Sequence, residues 1–114
     1  MSSPAPARAR RRVNRKLVVF VPPAALEPVR DALFAAGAGR IGAYERCSWY
    51  TPGTGTFFGG AGARPSVGEP RKEERVEELR LETVFPEARQ DEVLAALRAA
   101  HPYEEPAFDV YPLL

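Results

Sequence analysis

At the centre of the chain lies Gly37-Ala38-Gly39-Arg40-Ile41-Gly42, with the spacing G-x-G-x-x-G. This spacing is typical of dinucleotide binding only when a strand precedes the glycines and a helix follows them. Here the order is reversed, because a helical pattern comes before the glycines and a strand-like run, residues 43–50, comes after them. We therefore interpret Gly37 as the C-cap of a helix, and Gly39 and Gly42 as a turn that leads into a strand.

A long glycine-rich segment follows the predicted second strand. Residues 51–60 read Thr-Pro-Gly-Thr-Gly-Thr-Phe-Phe-Gly-Gly, and glycine-containing sequence continues to Glu69. Loops longer than about 12–15 residues without structure of their own are usually functional or disordered. We predict a long loop over residues 51–75 and expect the function to reside there.

Outward from this segment, strand and helix patterns alternate. The continuous apolar run 16–21 is typical of a central strand, and residues 76–85 and 107–111 alternate as strands do. Apolar residues recur at helical spacing over residues 24–37 and 86–101. The order β-α-β-β-α-β predicts an α+β, ferredoxin-like sandwich, in which two helices cover one face of a four-stranded antiparallel sheet.

Aromatic residues lie on both faces of the predicted second strand, Tyr44 and Tyr50 on one and Trp49 on the other. A solvated face would carry polar residues instead. We therefore expect the sheet to be covered on its second face too, by another subunit.

Length and composition favour one domain. A chain of 114 residues can bury a modest core. No apolar run approaches the roughly 18 residues that cross a bilayer, and no signal-peptide pattern opens the sequence. The lone cysteine, Cys47, fits a reducing compartment. We expect a soluble, cytoplasmic protein without a membrane partner.

The N-terminal segment is basic, whereas all 15 acidic residues lie after it. A basic tail can hold nucleic acid or anionic membrane loosely through phosphate neutralisation. Its Pro, Ala and Ser content favours a different interpretation, a disordered solvating tail over residues 1–15. We therefore expect no nucleic-acid partner. The basic residues are Arg8, Arg10, Arg11, Arg12, Arg15 and Lys16.

Four motifs carry a family resemblance over residues 16–112. In this order and spacing they resemble the PII-like, CutA-like domain inserted in YqfO-type proteins of the NIF-three-like family. The resemblance implies a PII-like ferredoxin fold that associates as a homotrimer, with the loop between strands two and three in the position of the PII signalling loop. The motifs are Gly37-Ala38-Gly39-x-Ile41-Gly42-x-Tyr44-x-x-Cys47-Ser48, Gly53-Thr54-Gly55-Thr56-Phe57, Glu77-x-x-Arg80-x-Glu82 and His101-Pro102-Tyr103-Glu104-Glu105-Pro106-Ala107-x-Asp109.

One departure from that family bears on activity. Its larger proteins carry a dinuclear metal site of His, Asp and Glu residues in a surrounding domain, and that domain is not in this sequence. The single histidine, His101, cannot rebuild it. The cyclohydrolase-like activity attached to the larger family is therefore not carried over, and we expect a stand-alone module that is not an enzyme.

The His101 cluster allows two interpretations. His101 and Glu104, with Cys47 brought close by the fold, could bind a divalent metal, as in a CutA-like metal-binding protein. Metal sites usually need three or four convergent ligands, so we prefer a structural role in which His101 caps the helix C-terminus. Cys47 lacks a base and an orienting acid, which makes a catalytic thiol a poor hypothesis.

The glycine-rich segment supplies the ligand-binding candidates. Its hydroxyls and backbone N–H groups could hold an anion or a nucleotide at a subunit cleft, although a P-loop would also need a lysine at a helix start. Alternatively, the loop packs on its neighbour in the trimer, anchored by Phe57 and Phe58. We predict a non-enzymatic module that binds a small ligand, ion or protein partner, and keep a nucleotide-acting enzyme as an alternative. The ligand-binding candidates are Gly53, Thr54, Gly55, Thr56, Phe57 and Tyr103.

Overall fold

Four strands and two helices follow one another in the predicted order. The computed structural model describes residues 13–63 and 68–114. The strands form one antiparallel sheet in the order β2-β3-β1-β4, which confirms the ferredoxin-like sandwich. Neither helix of the described residues is long and apolar enough to span a bilayer. The elements are β1 (Asn14–Val21), α1 (Leu26–Ala35), β2 (Ser48–Phe58), β3 (Glu73–Pro86), α2 (Gln90–Ala100) and β4 (Phe108–Pro112), with a short 3-10 turn before each helix.

The two helices pack on one face of the sheet. In antiparallel pairing, residues directly opposite each other project to the same face. Leu17 lies opposite Thr83 and Val19 opposite Leu81, and this face joins the apolar stripes of the helices in one core. No helix of the described residues covers the opposite face. The buried apolar core consists of Leu17, Val19, Val21, Leu26, Val29, Leu33, Ala38, Leu81, Phe85, Val93 and Leu97.

The central glycines end a helix, as the sequence predicts. Gly37, Gly39 and Gly42 all have positive φ, at 113°, 90° and 57°. The Gly37 N–H donates to Phe34 O (3.1 Å) and the Ala38 N–H to Leu33 O (3.0 Å), so the last carbonyls of α1 are satisfied. The three glycines of the G-x-G-x-x-G sequence therefore allow the chain to turn after α1.

Gly39 is expected to tolerate substitution far less than Gly42. A Cβ on Gly39 would lie 2.7 Å from the Phe34 ring and 3.1 Å from the Cys47 backbone nitrogen, whereas one on Gly42 would meet nothing within 4 Å. Gly42→Ala should cost about 1–2 kcal/mol, the penalty of a left-handed backbone. Gly39→Ala should cost about 2–4 kcal/mol, because overpacking adds to that penalty. Urea unfolding of both variants measures the difference, and equal costs would contradict the described packing.

The predicted boundaries of the second strand and of the loop are wrong. Residues 43–47 are not a strand, because Ile41 and Tyr44 close a tight turn with two backbone hydrogen bonds (3.0 and 2.9 Å). Strand β2 starts at Ser48 and runs to Phe58. The predicted loop 51–75 shrinks to a connection over residues 59–72, of which residues 64–67 lie outside the described part of the chain.

Strand β2 forms from glycine-rich sequence because it is an edge strand. It pairs with β3 only, from Ser48 opposite Thr83 to Phe58 opposite Glu73. Proline is tolerated at a sheet edge, where its missing N–H faces away from the ladder, so Pro52 does not interrupt the strand. Threonines in the segment favour extended backbone. Long-range pairing thus overrides the local turn preference of the glycines.

The N-terminal boundary also differs from the prediction. The predicted tail, residues 1–15, extends two residues too far, since β1 begins at Asn14. The Arg15 guanidinium donates to the side chains of Gln90 and Glu87, so it is tied to the start of α2. Residues 1–12 lie outside the described part of the chain.

A candidate ligand-binding cavity on the open face of the sheet

The sheet face without helices, here called the open face, carries a connected set of polar and aromatic side chains. Phe20 lies opposite Arg80, and Arg80 lies opposite Thr51, so the three share this face. Next along the sheet, Trp49 and Val18 both lie opposite Glu82. These six residues define the open face.

A cavity of about 660 Å³ occupies one end of the open face. Phe20, Glu78 and Arg80 line it together with β2 and the segment 103–107 that leads into β4. The structure brings together all the ligand-binding candidates taken from the sequence, although they come from two distant motifs. The candidates that line this sheet cavity are Gly53, Thr54, Gly55, Thr56, Phe57 and Tyr103.

His101 holds the cavity wall that carries Tyr103. The Tyr103 N–H donates to His101 Nδ1 (3.1 Å), so Nδ1 is unprotonated and the ring proton lies on Nε2, which donates to Phe20 O (2.7 Å). The histidine and tyrosine rings also pack with their centroids 4.9 Å apart. The segment after α2 is thereby fixed to β1, and both ring nitrogens of His101 are engaged.

Gly55 leaves space for the carboxylate of Glu78. A Cβ on Gly55 would lie 2.6 Å from Glu78 Cδ and would overlap one carboxylate oxygen. Any larger residue at this position would displace the Glu78 side chain from the cavity. The glycine therefore shapes the cavity rather than a turn.

The Tyr103 hydroxyl is buried beside the Glu78 carboxylate and makes no hydrogen bond to any other group of the described residues. Burial raises the pKa of this hydroxyl above its ordinary value, and the negative charge of the neighbouring Glu78 carboxylate raises it further. The hydroxyl is therefore a neutral donor at physiological pH. The Glu78 carboxylate is the acceptor available to this buried donor.

Arg80, the cation among the described residues that line the cavity, is already paired. Arg80 Nε donates to Glu82 (2.9 Å), and its guanidinium lies 5.8 Å from the centre of the Phe20 ring. Lys16 Nζ donates to the other Glu82 oxygen (3.3 Å). The hydrogen bond from Arg80 holds the pKa of Glu82 below its ordinary value, with Lys16 acting in the same direction against the effect of burial. Lys16 and Arg80 are therefore both paired with Glu82 rather than with Glu78.

The structure does not gather the predicted metal ligands. Within residues 13–63 and 68–114, no three His, Cys, Asp or Glu side chains are grouped as a metal site. Glu104 lines the sheet cavity. Cys47, by contrast, precedes β2, where its N–H donates to Gly39 O (2.8 Å) and its carbonyl accepts from Thr83 Oγ1 (2.7 Å). A metal at His101 would have to displace one of the two hydrogen bonds of its ring.

Sequence reasoning missed three residues of the cavity, Phe20, Glu78 and Arg80. In the sequence, residues 71–78 form a charged run typical of a solvated strand entrance, and Phe20 belongs to the apolar run 16–21. The strand register shows the relation between these residues, since it places Gly53 of β2 opposite Glu78 of β3. A carboxylate on one strand opposite glycines on the neighbouring strand is the signal that could have pointed to this cavity.

Comparison with known proteins places the chain in its family. No protein-family model matches it. It is 54% identical over 99 residues to the "GTP cyclohydrolase 1 type 2 homolog" of Mycobacterium tuberculosis, a match that covers 87% of this chain and 26% of that protein. The crystal structure of a Bacillus cereus "protein related to NIF3" superposes with a TM-score of 0.75 at 48% identity, covering 90% of this chain and 26% of that one. The chain thus corresponds to about a quarter of these relatives.

Two shorter proteins share the fold over most of their own length. CutA from Archaeoglobus fulgidus matches with a TM-score of 0.64 at 18% identity, covering 88% of this chain and 83% of that one. GlnK from Bacillus subtilis matches with a TM-score of 0.59 at 17% identity, covering 89% and 85%. The motifs, the fold and the relatives agree: this chain is the PII-like, CutA-like domain of the NIF-three-like family.

Proposed function

We propose that this domain is a non-enzymatic module that binds a small ligand, ion or protein partner in the sheet cavity. One observation carries the proposal. Tyr103 and the segment 53–57, chosen from the sequence alone, lie in separate motifs yet line the same cavity. A concave site with aromatic walls and a few convergent polar groups is the usual form of a small-molecule site.

The proposal includes assembly as a homotrimer, with the cavity at a cleft between copies. The resemblance to PII-like domains implies three copies. The exposure of Trp49 (58%) and Tyr111 (46%) supports it, because such aromatic surface on a sheet face is typical of an interaction site. The cavity lies on the same open face, so a second copy packed there would complete its walls. We propose that the trimer works in the cytoplasm, where Cys47 stays reduced.

The charge around the cavity opposes the nucleotide-acting alternative. Glu78, Glu104 and Glu105 line the cavity, whereas its Arg80 is paired with Glu82. A polyphosphate would be repelled by the negative charge of these carboxylates. The cyclohydrolase-homolog name belongs to a protein of which the match covers only 26%, so it supplies no activity for this domain.

Native mass spectrometry of the chain purified from cells, without added ligand, tests the proposal. We expect three copies with retained mass of a small molecule or ion. A bare trimer would shift the proposal to a protein partner, and a monomer would contradict the assembly. Turnover by the isolated chain on a nucleotide panel with divalent metals would overturn the non-enzymatic part.

A further inference from the structure

We infer that the sheet cavity takes a small organic cation, a primary ammonium or amidinium group on an aromatic or aliphatic body. This inference rests on the proposed function, since it assumes that the cavity is a binding site. It goes further by naming the charge and the shape of the ligand.

The first step is the carboxylate of Glu78. It lines the cavity at the place where Gly55 leaves space for it. The nearby cations, Lys16 and Arg80, pair with Glu82 instead. A carboxylate in a partly enclosed site is stabilised by a cationic hydrogen-bond donor, and such charge-assisted bonds are among the strongest in proteins. The ligand is the natural source of that donor.

The second step is the Tyr103 hydroxyl. It is buried at the same cavity beside the Glu78 carboxylate. A neutral hydroxyl can donate to that carboxylate while its oxygen accepts a hydrogen bond from an ammonium or amidinium group. Glu78 and Tyr103 together define a polar end of the cavity to which no cation of the described residues is paired.

The third step is the apolar wall. Phe20, Phe57 and Pro52 also line the cavity. The Arg80 guanidinium already lies 5.8 Å from the centre of the Phe20 ring, so Phe57 and Pro52 are left to pack against the flat or aliphatic body of the ligand. This apolar contact suits an organic cation better than a bare metal ion. A hydrated metal ion would gain nothing from it.

The test uses three probes with the same ring and different charge: benzylamine, benzyl alcohol and benzoate. The full ¹⁵N-labelled chain is titrated with each, and the backbone amide signals of Gly53 and Gly55 are followed by NMR. We expect benzylamine to shift these signals saturably, benzyl alcohol to bind at least about tenfold more weakly, and benzoate not to bind.

Two neighbouring glutamates provide matched variants. Glu78→Gln should weaken benzylamine binding by about ten- to hundredfold, the range expected for losing a hydrogen bond to a charged group. Glu77→Gln should leave binding unchanged, because side chains alternate between the two faces along β3, so Glu77 projects away from the face that carries Glu78 and does not line the cavity. Comparison of the three probes on the unaltered chain needs no variant, so a folding defect of Glu78→Gln would not obscure the result.

The outcomes separate this inference from the proposed function. If benzoate or benzyl alcohol binds at Gly55 as tightly as benzylamine, or more tightly, the inference of a cationic ligand is overturned. The cavity would still be a binding site. Equal loss in both glutamine variants would overturn the role of Glu78. If no probe shifts the cavity signals and native mass spectrometry finds no retained mass, both the inference and small-ligand binding are overturned.

Discussion

Replacing His101 by Ala is expected to lower the free energy of unfolding by about 2–4 kcal/mol, without any metal present. The side chain is 6% exposed and bonds the Phe20 carbonyl and the Tyr103 N–H, which are 83 positions apart along the chain. Alanine would leave both backbone groups without that partner and would open a gap beside the Tyr103 ring. The loss should be largest in the segment after α2, which forms one wall of the sheet cavity.

Urea unfolding of metal-free protein measures this change, with Glu105→Ala as the control. Glu105 is exposed in the same segment, so its replacement should cost less than about 0.5 kcal/mol. The metal-binding interpretation predicts a different pattern. If His101→Ala keeps the stability of the metal-free parent but loses a zinc-induced rise in melting temperature, His101 is a ligand rather than a structural residue.

The order of elements could be predicted because each apolar pattern is local. The continuous apolar run 16–21, the alternation over residues 76–85 and the helical spacing that ends at Gly37 are properties of short windows. The true extent of β2 is not local. Glycine and proline at positions 52–55 favour turns when taken alone, and only pairing with β3 along eleven residues makes the segment extended. Boundaries set by long-range pairing are therefore where the sequence interpretation failed.

The cavity could be predicted only in part, for a related reason. Tyr103 and Thr54 could be chosen from the sequence because Tyr103 lies in a proline-flanked segment and Thr54 lies in a glycine-rich one. Glu78 looks like any member of a charged run, and its meaning depends on the residue across the strand. His101 illustrates the same limit. It is the C-cap residue of α2, as the sequence suggested, but the bond between its side chain and the carbonyl of Phe20 on β1 depends on long-range packing.

Replacing Trp49 by Glu is expected to convert the proposed trimer into a monomer. Trp49 is 58% exposed in a single copy and lies on the open face opposite Glu82. Burial of its indole against another copy would contribute about 2–3 kcal/mol per copy. A glutamate there would lose that contribution and also place a charge beside Glu82 in the interface. The combined cost of several kcal/mol corresponds to at least about a thousandfold weaker association.

Tyr44→Glu is the matched control, because Tyr44 is 75% exposed but lies in the turn before β2, outside the sheet. Size-exclusion chromatography with light scattering reports the mass of each form at micromolar concentration. We expect a trimer for the unaltered chain and Tyr44→Glu, and a monomer that retains its circular dichroism spectrum for Trp49→Glu. A Trp49→Glu trimer would mean that copies meet elsewhere and that the sheet cavity faces solvent. In that case a ligand would contact one copy only, and its affinity would not depend on protein concentration.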